Sequence, residues 1–170
     1  MVQYGEMLLY GKGIPVNEKE GVNLIQLAIK HDNDNAMNRY GLMLRNGEGV
    51  PINKEEAIKY FKMAIDKGND NAMCNYGYMF QIGDFVPVDK EEAIKYYKNA
   101  IELGNGTAMK FYADMLQYGE GVEINKKEAV RYYKMSADAG NSSGMVNYGF
   151  LLQSGEGVAV NKEEAARYFK

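Results

Sequence analysis

Residues Asn46 to Lys54 read NGEGVPINK, two glycines one residue apart and then a lysine. A glycine-rich loop with a nearby lysine can cradle a phosphate where it joins a strand to a helix. Nothing strand-like precedes this loop. The third glycine of a dinucleotide fingerprint is missing, and so is the GK[ST] ending of a P-loop. The pair also recurs, as Gly11/Gly13, Gly119/Gly121 and Gly155/Gly157. A phosphate loop is normally a single site, so these glycines read as turn residues that supply positive φ between helices. No cofactor is expected.

The other reactive residues are sparse. The chain has one histidine, His31, and one cysteine, Cys74. His31 falls near the end of one helix and Cys74 near the start of another, which does not make a catalytic dyad. Together they are too few for a structural zinc site. Glu55/Glu56 and Glu91/Glu92 are adjacent carboxylates, but neighbouring helix residues point in different directions and do not converge for acid–base work. The sequence contains no S-x-x-K and no K-T-G to mark an acylating serine. The expectation is no catalytic residue, no metal ligand and no enzyme. Two sequons, at Asn105 and Asn141, share a column with Asn33 and Asn69, which lack one, so the column reads as a helix cap.

A net charge of -3 and a pI near 5.3 argue against nucleic-acid or anionic-membrane partners, which need clustered Lys and Arg. No apolar run reaches the roughly 18 residues of a membrane span, and no leader pattern is visible. A single cysteine fits a reducing compartment, and the expected location is cytoplasmic.

What positions these residues is a repeat. YGLMLRNGEGVPINKEEAIKYFKMAI at Tyr40 returns as YGYMFQIGDFVPVDKEEAIKYYKNAI at Tyr76, and again at Tyr112 and Tyr148, with a divergent copy at Tyr4. The offset is 36 residues each time, without insertion. The copies run over about 1–34, 35–70, 71–106, 107–142 and 143–170 as a single array, with both ends falling inside a repeat. Each copy reads as two helices. Ala36, Met37, Tyr40, Met43 and Leu44 share one face of the first. Gly41 in its middle points to close helix packing. Asn53 caps the second helix with Glu56 three residues on, and the pair recurs as Asn17/Glu20, Asp89/Glu92, Asn125/Glu128 and Asn161/Glu164. Phe85 stands where the other turns have their second glycine, so that turn is expected to take another conformation, with Phe85 packed on a neighbouring helix. A lone helix pair cannot bury its apolar stripe, whereas stacked pairs can. The expected fold is all-α, a right-handed α/α superhelical solenoid.

The pattern A-M-x-x-Y-G-x-M-L-x-x-G-x-G-V-x-x-N/D-x-x-E-A-x-x-Y-Y/F-x-x-A-x-x-G is similar to the Sel1-like repeat, a relative of the tetratricopeptide repeat. It covers essentially the whole chain. Departures are Phe85 in the third turn, Gly144 in place of alanine, and Gly21 and Leu24 where Ala57 and Tyr60 stand in the next copy. The resemblance implies a non-enzymatic scaffold or adaptor that binds other proteins or peptides. The alternative is a structural spacer inside a larger enzyme or ubiquitin-ligase-type subunit. A cysteine-rich branch of the resembled family is linked to β-lactam binding, but the single cysteine here departs from that branch. Oligomeric state is left open.

The resemblance to tetratricopeptide stacks also implies that first helices line a concave groove. Two variable columns then face it, Glu6, Leu42, Tyr78, Asp114 and Phe150, and Tyr10, Asn46, Ile82, Tyr118 and Ser154, with Arg45 and Lys110 beside them. For Leu42 and Ile82 the competing expectation is packing between repeats. Aromatic anchors beside charged residues suit a bound peptide.

Overall fold

The computed structural model describes residues 1–169. Among them are ten helices and no strand. They are α1 (Val2–Tyr10), α2 (Glu18–Lys30), α3 (Asp34–Asn46), α4 (Lys54–Asp66), α5 (Asp70–Ile82), α6 (Lys90–Glu102), α7 (Gly106–Tyr118), α8 (Lys126–Asp138), α9 (Ser142–Ser154) and α10 (Lys162–Tyr168). Odd-numbered helices are the first of each repeat and even-numbered ones the second. The chain divides into two compact units, Met1–Ala72 and Met73–Lys170, with the division inside α5.

In the first unit α1 packs on α2, α2 on α3 and α3 on α4. Its core holds Ile25, Met37, Met43 and Phe61. Tyr40 is buried and meets Tyr60 edge-on at 4.9 Å, while its hydroxyl accepts from Gln26 Nε2 at 2.9 Å. Tyr4, of the same column, is exposed. In the second unit α6 packs on α7, α7 on α8, α8 on α9 and α9 on α10, and α7 also touches α9. Tyr76, Tyr112 and Tyr148 are buried, each edge-on to the tyrosine twenty residues later, Tyr96, Tyr132 and Tyr168. Edge-to-face pairs of this kind add about 0.5–1.5 kcal/mol beyond the area they bury. Burial holds the Tyr76 and Tyr148 phenols above their usual pKa.

Every second helix starts as the sequence reading expects. The side-chain oxygens of Asn17, Asn53, Asp89, Asn125 and Asn161 accept the backbone N–H three residues on, at 2.9–3.2 Å. The reciprocal half of the box differs. The cap residue's own N–H does not wait for the glutamate. It donates to a carbonyl near the end of the first helix: Asn17 to Leu8, Asn53 to Leu44, Asp89 to Phe80, Asn125 to Leu116 and Asn161 to Leu152. The glutamate instead meets the cap's amide where that cap is Asn17, Asn53 or Asn161. Asn33, Asn105 and Asn141 cap first helices, and Asn105 is buried, so both sequon asparagines are engaged as caps.

The expectation that the turn at Phe85 takes another conformation is overturned. The φ of Phe85 is +65°, beside +69° at Gly49, +70° at Gly121 and +74° at Gly157. The turn keeps its bonds, Asp84 N–H to Met79 O at 3.0 Å and Asp89 N–H to Phe80 O at 2.9 Å, matching Glu120 to Met115 and Asn125 to Leu116. The hydrogen bonds that close the turn outweigh the cost of about 1–2 kcal/mol for a side chain in the left-handed region.

Candidate functional site

In the first unit the first-helix face carries a charged cluster. Arg39, on α3, is only 9% exposed. Its Nη2 donates to Glu48 Oε2 at 2.6 Å and to the Tyr10 hydroxyl. Tyr10 in turn donates to Glu48, and Asn46 Nδ2 donates to Glu48 Oε1 at 2.7 Å. Arg39 Nε lies 3.0 Å from Glu6 Oε1, an ion pair without hydrogen-bond alignment. The guanidinium also sits 5.3 Å from the centre of the Tyr10 ring. Two carboxylates and an aromatic face balance the guanidinium's charge, though Nε makes no hydrogen bond, and that pairing is how a charge this buried is held. Of the groove residues named from the sequence, Glu6, Tyr10 and Asn46 meet here. Leu42 and Arg45 are half-buried. Arg39 and Glu48, which organise the cluster, were not among them.

In the second unit the corresponding face is built by α7 and α9, with the end of α5. Tyr133, fully buried on α8, points its hydroxyl to it and donates to Asp114 Oδ1 at 2.5 Å, with Gln117 Oε1 at 2.8 Å. Burial first, then the bond to Asp114, pushes the Tyr133 phenol pKa far up. Lys110 Nζ reaches Asp114 Oδ2 at 2.6 Å and lies 4.8 Å over the Phe111 ring. Phe111 stacks on Tyr78 at 5.2 Å and on Tyr97 at 5.5 Å. Tyr97, raised in pKa mainly by burial, donates to Gln81 Oε1 at 2.7 Å.

Beside this network is an open cleft of about 400 Å³ lined by Tyr118, Tyr133, Asn147, Phe150, Ser154 and Glu156, among others. Tyr118 and Phe150 are 66% and 56% exposed, large apolar surfaces left to solvent at its rim. A second opening, about 360 Å³, lies along Lys110, Ser143, Val146 and Asn147. Asn147 borders both. Lys110, Asp114, Tyr118 and Phe150 are thus gathered on one face, and Tyr78 joins them through Phe111. Ile82, also named from the sequence, is exposed. Phe111, Gln117, Tyr133, Asn147 and Glu156 were missed. Phe111 and Asn147 share the column of Arg39, which varies as much as the two columns read as groove-facing but was not among them.

His31 is exposed and Cys74 buried. Among the described residues no three His, Cys, Asp or Glu come together as metal ligands, and no helix is long and apolar enough to cross a membrane.

The family model of the Sel1 repeat matches residues 1–33, 34–69, 70–105, 106–141 and 142–170. Among solved structures, a Sel1 repeat protein from Oxalobacter formigenes is similar at 29% identity and a TM-score of 0.87, over 98% of this chain and 68% of that one. A protective antigen of uropathogenic Escherichia coli with the same repeat fold is similar at 27% identity and a TM-score of 0.79, over 99% of this chain. This chain spans only 36% of that antigen's length. The Helicobacter pylori cysteine-rich protein B, at 23% identity, a TM-score of 0.54, and coverage of 69% of this chain and 84% of that one, shares the fold alone. No curated protein sequence matches.

Proposed function

The chain belongs to the Sel1 repeat family, an all-α solenoid family whose members generally mediate protein–protein interaction. On that premise we propose that it is a non-enzymatic scaffold that takes a partner peptide on the first-helix face, with the α7/α9 cleft as the principal seat. The observation that carries this reading is the pairing of Tyr118 and Phe150, both more than half exposed, across a cleft floored by the buried Tyr133. Exposed aromatics over a fixed polar floor are what binding hot spots are made of. The floor is held in advance by Asp114 and Gln117, so little ordering opposes binding. In the second unit this reading assigns Tyr78, Ile82, Lys110, Asp114 and Phe150 to the contact face; taken by itself, the first unit offers Glu6, Tyr10 and Asn46 on its own first-helix face, with Leu42 and Arg45 at the margin.

The test is selection of random displayed peptides on the immobilised full chain. Their affinities are then measured on Tyr118→Ala/Phe150→Ala and on Lys59→Ala/Lys95→Ala, a control that changes exposed lysines of the second helices α4 and α6. The expected result is a loss of at least about thirtyfold on the first and none on the second. Selected binders that keep their affinity on Tyr118→Ala/Phe150→Ala would overturn the proposal.

A further inference from the structure

The repeat sets two parts of the molecule in register. Adding three periods of 36 to Glu6, Tyr10, Arg39 and Glu48 gives Asp114, Tyr118, Asn147 and Glu156. The acidic positions stay acidic and the tyrosine stays. Only the arginine changes, to the shorter, uncharged Asn147. In the first unit Arg39 fills its own surroundings, bonded to Glu48 and Tyr10 and set against Glu6. Two periods on, the same column holds Phe111, which fills the place with a ring stacked on Tyr78. At Asn147 the place is not filled, and a cleft of about 400 Å³ lies there, with Tyr118, Tyr133, Asn147, Phe150 and Glu156 in its wall.

From this we infer that the α7/α9 cleft binds the arginine side chain of a partner segment, which takes the position that Arg39 takes in the first unit. The inference rests on the proposed peptide-binding role and names the side chain recognised. A guanidinium suits the wall better than an ammonium. It is planar, weakly hydrated and stacks on aromatic faces, here Tyr118 and Phe150, and its fork can bind a carboxylate such as Glu156 through two N–H groups. Glu156 pairs with Lys126 at 3.0 Å, but both side chains are exposed, Glu156 at 38% and Lys126 at 52%, and pairs of that kind are weak enough to yield to a bidentate partner. Asp114 stays bound to Lys110 and Tyr133 behind the wall and adds its charge from there.

The test titrates the full chain, followed by backbone and side-chain amide NMR, with three capped single residues: N-acetyl-arginine amide, the neutral isostere N-acetyl-citrulline amide, and N-acetyl-glutamate amide. The arginine probe is expected to shift Tyr118, Asn147 and Glu156 and to bind at least about tenfold more tightly than either other probe. Asn147→Arg, which supplies the side chain from within, is expected to abolish those shifts. Tyr118→Ala, a change at an exposed position, weakens them and guards against an Asn147→Arg chain that fails to fold. Equal binding of the citrulline probe, or tighter binding of the glutamate probe, would overturn the inference. So would arginine binding that survives Asn147→Arg in a folded chain. Selected peptides that depend on Tyr118 and Phe150 yet carry no arginine and ignore Asn147→Arg would sink the inference and leave the peptide-binding role standing. Binders indifferent to Tyr118 and Phe150 remove that role itself.

Discussion

Ser136 and Gly144 show how a single departure from the repeat is compensated by another. In three repeats the two corresponding positions both hold alanine, Ala28 and Ala36, Ala64 and Ala72, Ala100 and Ala108, all buried. In the fourth, Ser136 adds a hydroxyl, which donates to Gly106 O at 2.6 Å, and Gly144 gives up a methyl. A Cβ at 144 would stand 2.2 Å from Ser136 Oγ and 3.1 Å from Ala137 N. Gly144→Ala alone is therefore expected to destabilise by about 1–3 kcal/mol through overpacking. Ser136→Ala/Gly144→Ala removes the hydroxyl from the clash but keeps the Cβ of residue 136, 2.6 Å from the added methyl, so it is expected to recover only part of that loss. Urea unfolding of the four proteins of the double-mutant cycle measures the coupling, and additive effects within about 0.5 kcal/mol would contradict this account. The sequence shows Gly144 as a departure, but not that it answers Ser136, because only packing brings the two columns face to face. Arg39 went unnamed for a related reason. Its column reads Gln3, Arg39, Asn75, Phe111, Asn147, as variable as the two columns read as groove-facing, so variation alone did not single it out, whereas the structure uses that column for size.

At the scale of the element, the start of every second helix was legible to the residue, since a capping asparagine or aspartate recurs five times in one register. What each partner does was not legible. A capping box has the glutamate hold the cap's backbone N–H. Here that N–H is already bonded to the first helix, Asn125 to Leu116 O at 2.8 Å. The cap therefore ties two helices together, and the glutamate is left with a lesser part. Asn125→Ala is expected to cost about 0.5–2 kcal/mol, the usual price of a lost side-chain cap. Glu128→Gln, which loses mainly a surface pair with Arg131, is expected to cost under about 0.5 kcal/mol. Equal losses for the two in chemical unfolding would restore the reciprocal box. The turn at Phe85 follows the same logic. Local preference predicts a different turn, but the two helices it joins fix the positions of its ends, and the backbone at 85 adopts what the flanking bonds require.

For the molecule as a whole, the 36-residue period was enough to give the helix count per repeat and the fold class, because period and apolar spacing depend on the chain alone. The second unit's cleft was half legible: its exposed aromatics lay in variable columns, while its floor, Tyr133, looked like any core aromatic of a second helix. That floor belongs to a set of tyrosines whose titration should govern stability in alkali. Tyr97 and Tyr133 are fully buried, and burial raises both phenols well above their ordinary value, as it does more mildly for Tyr60, Tyr76 and Tyr148. In the unfolded chain each ionises near about pH 10. Below that pH both states hold the proton, and the full stability is present. Above it the unfolded chain releases protons that the folded chain keeps, so the unfolded state binds fewer and stability falls as pH rises, by up to about 1.4 kcal/mol per pH unit for each such group. Unfolding free energies measured between about pH 8 and 11 should stay level at first and then drop once the unfolded phenols ionise. Tyr97→Phe/Tyr133→Phe should show a shallower drop, because phenylalanine has no proton to release. A variant whose stability falls as steeply as that of the parent chain would mean that other groups set the alkaline limit.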